Sequence, residues 1–156
     1  MKKILIALDY SPSAGKIAET GYNLAKATNT EVILMHVVAD PVYYSNLDYS
    51  PIMGYTGFST PEMLSLTDMA EVKKASHDFL EQSKKHLGDE GISILVGEGD
   101  CADAILKAAA DLNVDTIVMG THSRRGLDKI LMGSIAEKVL HHAKVPMLII
   151  PTSQHK

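Results

Sequence analysis

The sequence predicts an α/β fold: a doubly wound five-stranded parallel sheet of strand order 3-2-1-4-5 with helices on both faces. Three observations point there. Short apolar runs recur along the chain, and they are continuous rather than alternating, as strands buried on both faces require. Amphipathic helical stretches separate them in regular β-α alternation, the pattern of a parallel sheet covered by helices. The 156 residues contain no internal repeat, low-complexity tract or linker, so 1–156 reads as a single domain.

The elements follow in order. Residues 3–8 (KILIAL) form the first buried strand. Asp9-Tyr10-Ser11-Pro12 then reads as a helix entry, with Ser11 as the cap and Pro12 at the first position, where its missing N–H costs nothing. That helix runs to about Ala27, with Ile17, Ala18, Gly21, Leu24 and Ala25 on its apolar face. Residues 31–38 (EVILMHVV) are the second strand. Residues 39–62, rich in Pro, Tyr, Ser and Gly, fit no regular element, and a stretch this long in a compact domain is usually functional. Five of the eight aromatic residues (Tyr43, Tyr44, Tyr49, Tyr55, Phe58) fall in it, which suits a lid, a dimer contact or a partner surface.

A long amphipathic helix starts near Thr60 or Ser65 and ends at about His86, stopped by Gly88 and Gly91. Residues 92–96 (ISILV) are the third strand. Asp100 caps the next helix, with Asp103 three residues on in the manner of a capping box. Residues 115–119 (DTIVM) are the fourth strand, a helix covers about Ser134 to Ala143, and Pro146–Ile150 is the fifth strand. In a doubly wound sheet the ligand site lies where the winding reverses, at the carboxyl ends of the strands. The order 3-2-1-4-5 puts Asp9, after the first strand, opposite Gly120, after the fourth.

Composition excludes several classes. No run of 18 or more apolar residues occurs, so no membrane-spanning segment is expected. The opening apolar stretch stops at Asp9, too short for an export signal, which points to a cytoplasmic protein. The single cysteine, Cys101, permits no internal disulfide and suits a reducing compartment. With a formal net charge of −4 and no basic patch, nucleic acid is not an expected partner. No His, Cys, Asp or Glu set has metal-ligand spacing. No Ser/His/Asp or Cys/His constellation suggests covalent catalysis. Asp9 as a phospho-acceptor lacks the acidic pair and the second Asp that receiver domains need, since Leu8 precedes it and Gly97-Glu98 follows the third strand. Cys101, at a helix start where thiol pKa values can fall, reads better as a small, partly buried residue.

The segment with chemistry to offer runs from Gly120 to Ser134. A strand, a glycine, a loop and then Gly133-Ser134 opening a helix suit an anion. The first amides of a helix have no internal partners, and its dipole places about half a positive charge there. Gly133 allows close approach to the backbone, and the Ser134 hydroxyl adds a donor. Spacing alone leaves equally open a plain helix cap at Gly133-Ser134 and a plain turn at Gly120. Arg124, Arg125 and Lys129 either neutralise phosphates or are solvated loop charges. The loop is neither a Walker A loop, which needs Gly-Lys-Ser/Thr, nor a dinucleotide fingerprint.

Taken together, these motifs resemble the universal stress protein family over essentially the whole chain. Lys3 to Ser11 matches its opening strand ending in Asp, then Ser. Leu34, Met35, His36 and Val37 match its second strand, and Asp115–Met119 followed by Gly-Thr-His matches its fourth. Gly133-Ser134 and Val145-Pro146 complete the pattern. The resemblance implies an adenine nucleotide alpha hydrolase-like sheet. It also implies a nucleotide ligand, ATP (or ADP or AMP), which a magnesium ion can accompany. The family's ATP-binding branch has Gly, two residues, Gly, nine residues, Gly, then Ser or Thr. Gly120, Gly133 and Ser134 fit; Ser123 stands at the middle glycine, a change that costs on the order of 1 kcal/mol if that backbone needs positive φ.

By the same resemblance, Ala7 and Asp9 contact adenine and ribose, and Val37 lines the adenine pocket. Met119 lies near the ribose, and His122, Ser123, Gly133, Ser134 and Ile135 lie near the phosphates. His36 packs beneath the site. Similar proteins form a homodimer through the last strand, here Pro146–Pro151, whose apolar edge invites pairing with a copy of itself. The function implied is nucleotide binding in a stress response, with little or no hydrolysis. The alternatives are a slow ATPase, in which His122 or Asp9 would have to orient water, and a non-nucleotide interaction scaffold.

Overall fold

The computed structural model describes residues 2–38, 68–121 and 132–152. The irregular stretch 39–62, His122 and Ser123, and the loop residues Arg124, Arg125, Gly126 and Lys129 lie outside them. The elements in chain order are β1 (Lys3–Ala7), α1 (Ala14–Ala27), β2 (Glu31–Val38), α2 (Asp68–Leu87), β3 (Ser93–Glu98), α3 (Cys101–Asp111), β4 (Thr116–Gly120), α4 (Ser134–His142) and β5 (Met147–Ile150).

All five strands are parallel, in the order β3-β2-β1-β4-β5. This is the expected topology. β1, the first strand made, occupies the middle of the sheet: Lys3 pairs with Glu31 of β2, and Ile4 pairs with both Val32 and Thr116 of β4. Because side chains alternate along a strand, the apolar runs supply two cores. Ile4, Ile6, Leu34 and Val118 pack under α1 and α2, against Ile17, Ala18 and Leu80. Leu5, Met35, Ile117 and Met119 pack under α3 and α4, against Ile105, Ala109 and Val139. A run buried on both faces is therefore what each central strand needs.

Several boundaries move, each for a local reason. β1 stops at Ala7 rather than residue 8: Leu8 N–H still reaches the Met35 carbonyl at 2.8 Å, but its own carbonyl lies 2.8 Å from His36 Nδ1 instead of a neighbouring strand. Ser11 is not the cap of α1. The Ser11 N–H donates to Asp9 Oδ1 at 2.9 Å, closing a turn that delays the helix until Ala14, with Ser13 at the N-cap position. β3 runs on through Gly97 and Glu98 because Val37 and Val38 extend the ladder beside them. β4 begins one residue later than expected, since the Asp115 carboxylate accepts the Lys2 and Lys3 N–H groups at 2.7 and 2.9 Å. β5 begins at Met147, Pro146 offering only its carbonyl to Ile117 N–H. α4 ends at His142, with Ala143 as its C-cap. α2 ends at Leu87, and Gly88 takes the positive φ of +74° that stops it.

The start of α3 follows the expected cap in part. The Asp100 carboxylate accepts the Asp103 N–H at 2.9 Å. The Asp103 carboxylate turns to Lys138 of α4, 3.3 Å away, and Lys138 also reaches Asp100 at 3.2 Å. The Asp103 N–H holds the Asp100 carboxyl below its ordinary value, so this stabilisation is present at neutral pH and is lost as pH falls through the carboxylate range. Asp100→Ala is expected to cost about 1 kcal/mol at pH 7 and little at pH 2; urea unfolding at the two pH values checks it, and equal losses would disprove the capping account. No helix among the described residues is long and apolar enough to cross a membrane.

Candidate functional site

A cleft open to solvent lies at the carboxyl ends of β1, β2 and β4. It sits between β1 and β4, where the winding reverses. Of the residues expected at the site, Ala7, Asp9, Val37, Met119, Gly120, Gly133 and Ile135 line it. Ser134 follows Gly133 but is exposed and outside the lining. His122 and Ser123 lie outside the described residues. Ala7, Met35, Val37 and Met119 make an apolar wall from alternate positions on three strands, a surface that a flat, weakly polar ring can cover.

Asp9 is the one acidic side chain lining the cleft among the described residues. Burial pushes its pKa up from 3.8 to about 6, against the opposing effect of the Ser11 N–H it accepts. A carboxylate held in this way is poorly hydrated and retains accepting capacity for a hydroxyl donor.

His36 is not beneath the cleft. Met35 and Val37 face it, so the residue between them points to the opposite side of the sheet. There His36 packs between Tyr10, at 4.5 Å between ring centroids, and Phe79, at 5.9 Å. Burial lowers its pKa, and Nε2 has no hydrogen-bond partner among the described residues.

The other end of the cleft is built by the start of α4. Gly133 is its N-cap with φ −72° and ψ 162°, a backbone open to any residue, so its value there is the absence of a side chain rather than conformational freedom. Its N–H donates to the Thr121 carbonyl at 2.6 Å. No described residue accepts from the amides of Ser134, Ile135 or Ala136. Those groups and the helix dipole form a site of positive potential at the cleft wall.

Gly120 is not a plain turn, the alternative that spacing left open. It is the last residue of β4, paired with Ile150, and fully packed. A Cβ there would meet Thr152 Cγ2 at 2.5 Å and Ile17 Cδ1 at 2.7 Å.

The sequence reading missed Leu8, Ile17, Met35, Cys101, Ile105, Thr121 and Ala136, which also line the cleft. Met35 was recoverable, being two residues from Val37 on the same strand face. Ile17, Cys101 and Ile105 come from α1 and α3, and only the packing of those helices brings them in. The Cys101 thiol is pushed up to about 12, first by burial and then by Asp9 and Asp100, so the helix start does not activate it.

Topology and cleft together define a doubly wound, Rossmann-like α/β protein with its cavity at the switch point. The profile of the Universal stress protein family matches residues 1–151, and the chain belongs to that family. Universal stress protein MJ0531 of Methanocaldococcus jannaschii is 32% identical over 151 residues, covering 96% of this chain and 81% of its own length. Universal stress protein MJ0577 of the same organism is 32% identical over 156 residues, covering 96% and 94%. The solved structure of MJ0577 superposes with a TM-score of 0.75 at 26% identity, covering 99% of this chain and 98% of that one. A universal stress protein solved in complex with cAMP has the same fold, with a TM-score of 0.62 at 20% identity over 96% and 95% of the two chains.

Proposed function

We propose that this chain is an ATP-binding stress-response module with little or no hydrolysis. The observation that carries the reading is the cleft itself: an apolar wall, a partly buried acceptor at Asp9 and the first turn of α4 border one cavity. Adenine takes the wall of Ala7, Val37 and Met119, the ribose hydroxyls donate to Asp9, and the phosphates lie over Gly133, Ser134 and Ile135. We assign His122 and Ser123, which lie outside the described residues, to the same phosphates, and a magnesium ion would neutralise part of the phosphate charge. The cAMP held by a universal stress protein of the same fold supports an adenine nucleotide as the ligand class.

Calorimetry with ATP, ADP and AMP tests the proposal. Binding of ATP with no phosphate release over hours is the expected result, and no binding at millimolar ATP would leave an interaction scaffold as the reading. Gly133→Val is expected to weaken ATP at least tenfold, because its side chain occupies the approach to the α4 amides, while far-UV circular dichroism stays unchanged. Unchanged affinity would put the phosphates elsewhere.

The fold also supports a homodimer through Pro146–Pro151. β5 is an edge strand whose outer backbone groups pair with no described strand, and Met147, Leu148 and Ile149 are each only partly covered. Sedimentation at micromolar concentration is expected to give twice the chain mass; a single-chain mass would overturn this assembly.

A further inference from the structure

Where the chain leaves β5 it returns to the cleft. Thr152 is only 7% exposed although it lies two residues beyond the strand. Its N–H donates to Thr121 Oγ1 at 3.1 Å, and the two hydroxyl oxygens are 3.1 Å apart. The Ser13 hydroxyl, at the start of α1, points to the Thr152 carbonyl at 3.4 Å. Its methyl group fills the space that a side chain at Gly120 would need. Thr121 in turn makes two backbone bonds that matter: its N–H to the Ile150 carbonyl at 3.0 Å, and its carbonyl to the Gly133 N–H at 2.6 Å. One connected set of bonds therefore runs from the end of β5, through Thr121, to the N-cap of α4.

We propose that Thr152 is a positioning residue for the phosphate end of the cleft, acting through Thr121 to fix the orientation of the first-turn amides of α4. It touches no ligand itself. The amides of Ser134, Ile135 and Ala136 can serve an anion only if α4 is held at a constant angle to β4. The 2.6 Å bond between Thr121 and Gly133 is the direct tie between the two. Thr121 directly follows β4, and the paired hydroxyls and the Thr152 N–H hold it in place. Removing the Thr152 hydroxyl takes away the hydroxyl pair and leaves the Thr152 N–H on Thr121 Oγ1. The adenine and ribose half of the cleft, built on β1 and β2, has no bond to Thr152 and is unaffected.

The inference rests on the nucleotide reading above, and two probes separate them. ATP reports on the whole cleft, whereas adenosine lacks phosphates and reports only on the base and sugar half. Thr152→Val keeps the shape and removes the hydroxyl; it is expected to weaken ATP about tenfold and to leave adenosine unchanged, while Thr152→Ser retains wild-type affinity for both. Equal affinities for ATP in the wild type and Thr152→Val, or an equal loss for ATP and adenosine, would overturn the proposal. If Thr152→Val does not fold, Thr121→Val breaks the same hydroxyl pair from the other side, and the same ATP-to-adenosine ratio decides. Failure of the wild-type protein to bind either probe would instead remove the nucleotide reading on which the inference rests.

Discussion

Asp9→Asn is expected to stabilise the protein at pH 7 and to weaken its nucleotide binding. The Asp9 carboxyl has a pKa of about 6 in the folded chain, against 3.8 as the ordinary value. Its folded pKa is raised, so the folded state holds the proton more tightly than the unfolded one. Stability is therefore greatest below the ordinary value, falls as pH rises from about 3.8 to about 6, and is level above. At pH 7 the buried charge costs up to about 3 kcal/mol, since one pH unit is worth about 1.4 kcal/mol. Asparagine keeps an oxygen for the Ser11 N–H and carries no charge, so it should recover about 1–3 kcal/mol at pH 7 and almost nothing at pH 3.5. Urea unfolding of both proteins across this range measures the difference. A gain independent of pH would show that the Asp9 pKa is not raised in the folded chain. The ligand sees the opposite effect: a hydrogen bond to an ionised acceptor is worth about 1.5–3 kcal/mol, so adenosine and ATP should both weaken by about tenfold or more. Charge retained at a stability cost is what a binding site looks like when function opposes folding.

Gly120→Val is expected to destabilise the fold by about 3 kcal/mol and to remove binding altogether. The first side-chain carbon would lie 2.5 Å from Thr152 Cγ2 and 2.7 Å from Ile17 Cδ1, well inside contact distance. Neither neighbour can yield cheaply: Thr152 is held by Thr121, and Ile17 is 2% exposed in the core under α1. In a protein of this length each kcal/mol moves the melting temperature by about 2–4 °C, so a fall of several degrees should be plain in a thermal scan. Gly97→Val is the matched control. Its Cβ would also come close, at 2.6 Å, but to the terminal methyl of Met35, which can rotate away. A similar loss for both variants would show that the crowding at Gly120 is not special.

The fold was legible because it depends on periodicity. Ile4, Leu5 and Ile6 are all fully buried, which only a central strand covered on two sides can achieve, and the unbroken apolar run records that directly. The cleft was legible where it is made of strand ends, as at Asp9, Val37 and Met119. It was not legible where helices supply the wall, because Cys101 and Ile105 reach it only after α3 packs on the sheet. Ser11 misled for a related reason. Serine before proline is a fair cap signal, but the Asp9 carboxylate competes for the same backbone and closes its turn first. The neighbour that demands Gly120 was hidden, since Thr152 is 32 positions away in sequence.

The central place of β1 has a consequence for how the chain is made. During synthesis β1 can pair with β2 as soon as residue 38 is available, but its other side waits for Ile4, Leu5 and Ile6 to meet Thr116, Ile117 and Val118. Until then the nascent chain carries a strand, apolar beyond Lys3, with one open edge. Such an edge favours slow, late closure and stays open to pairing with other chains in the meantime. The arrival of residues 116–118, rather than pairing within the first half, is then the event that completes the pairing of β1.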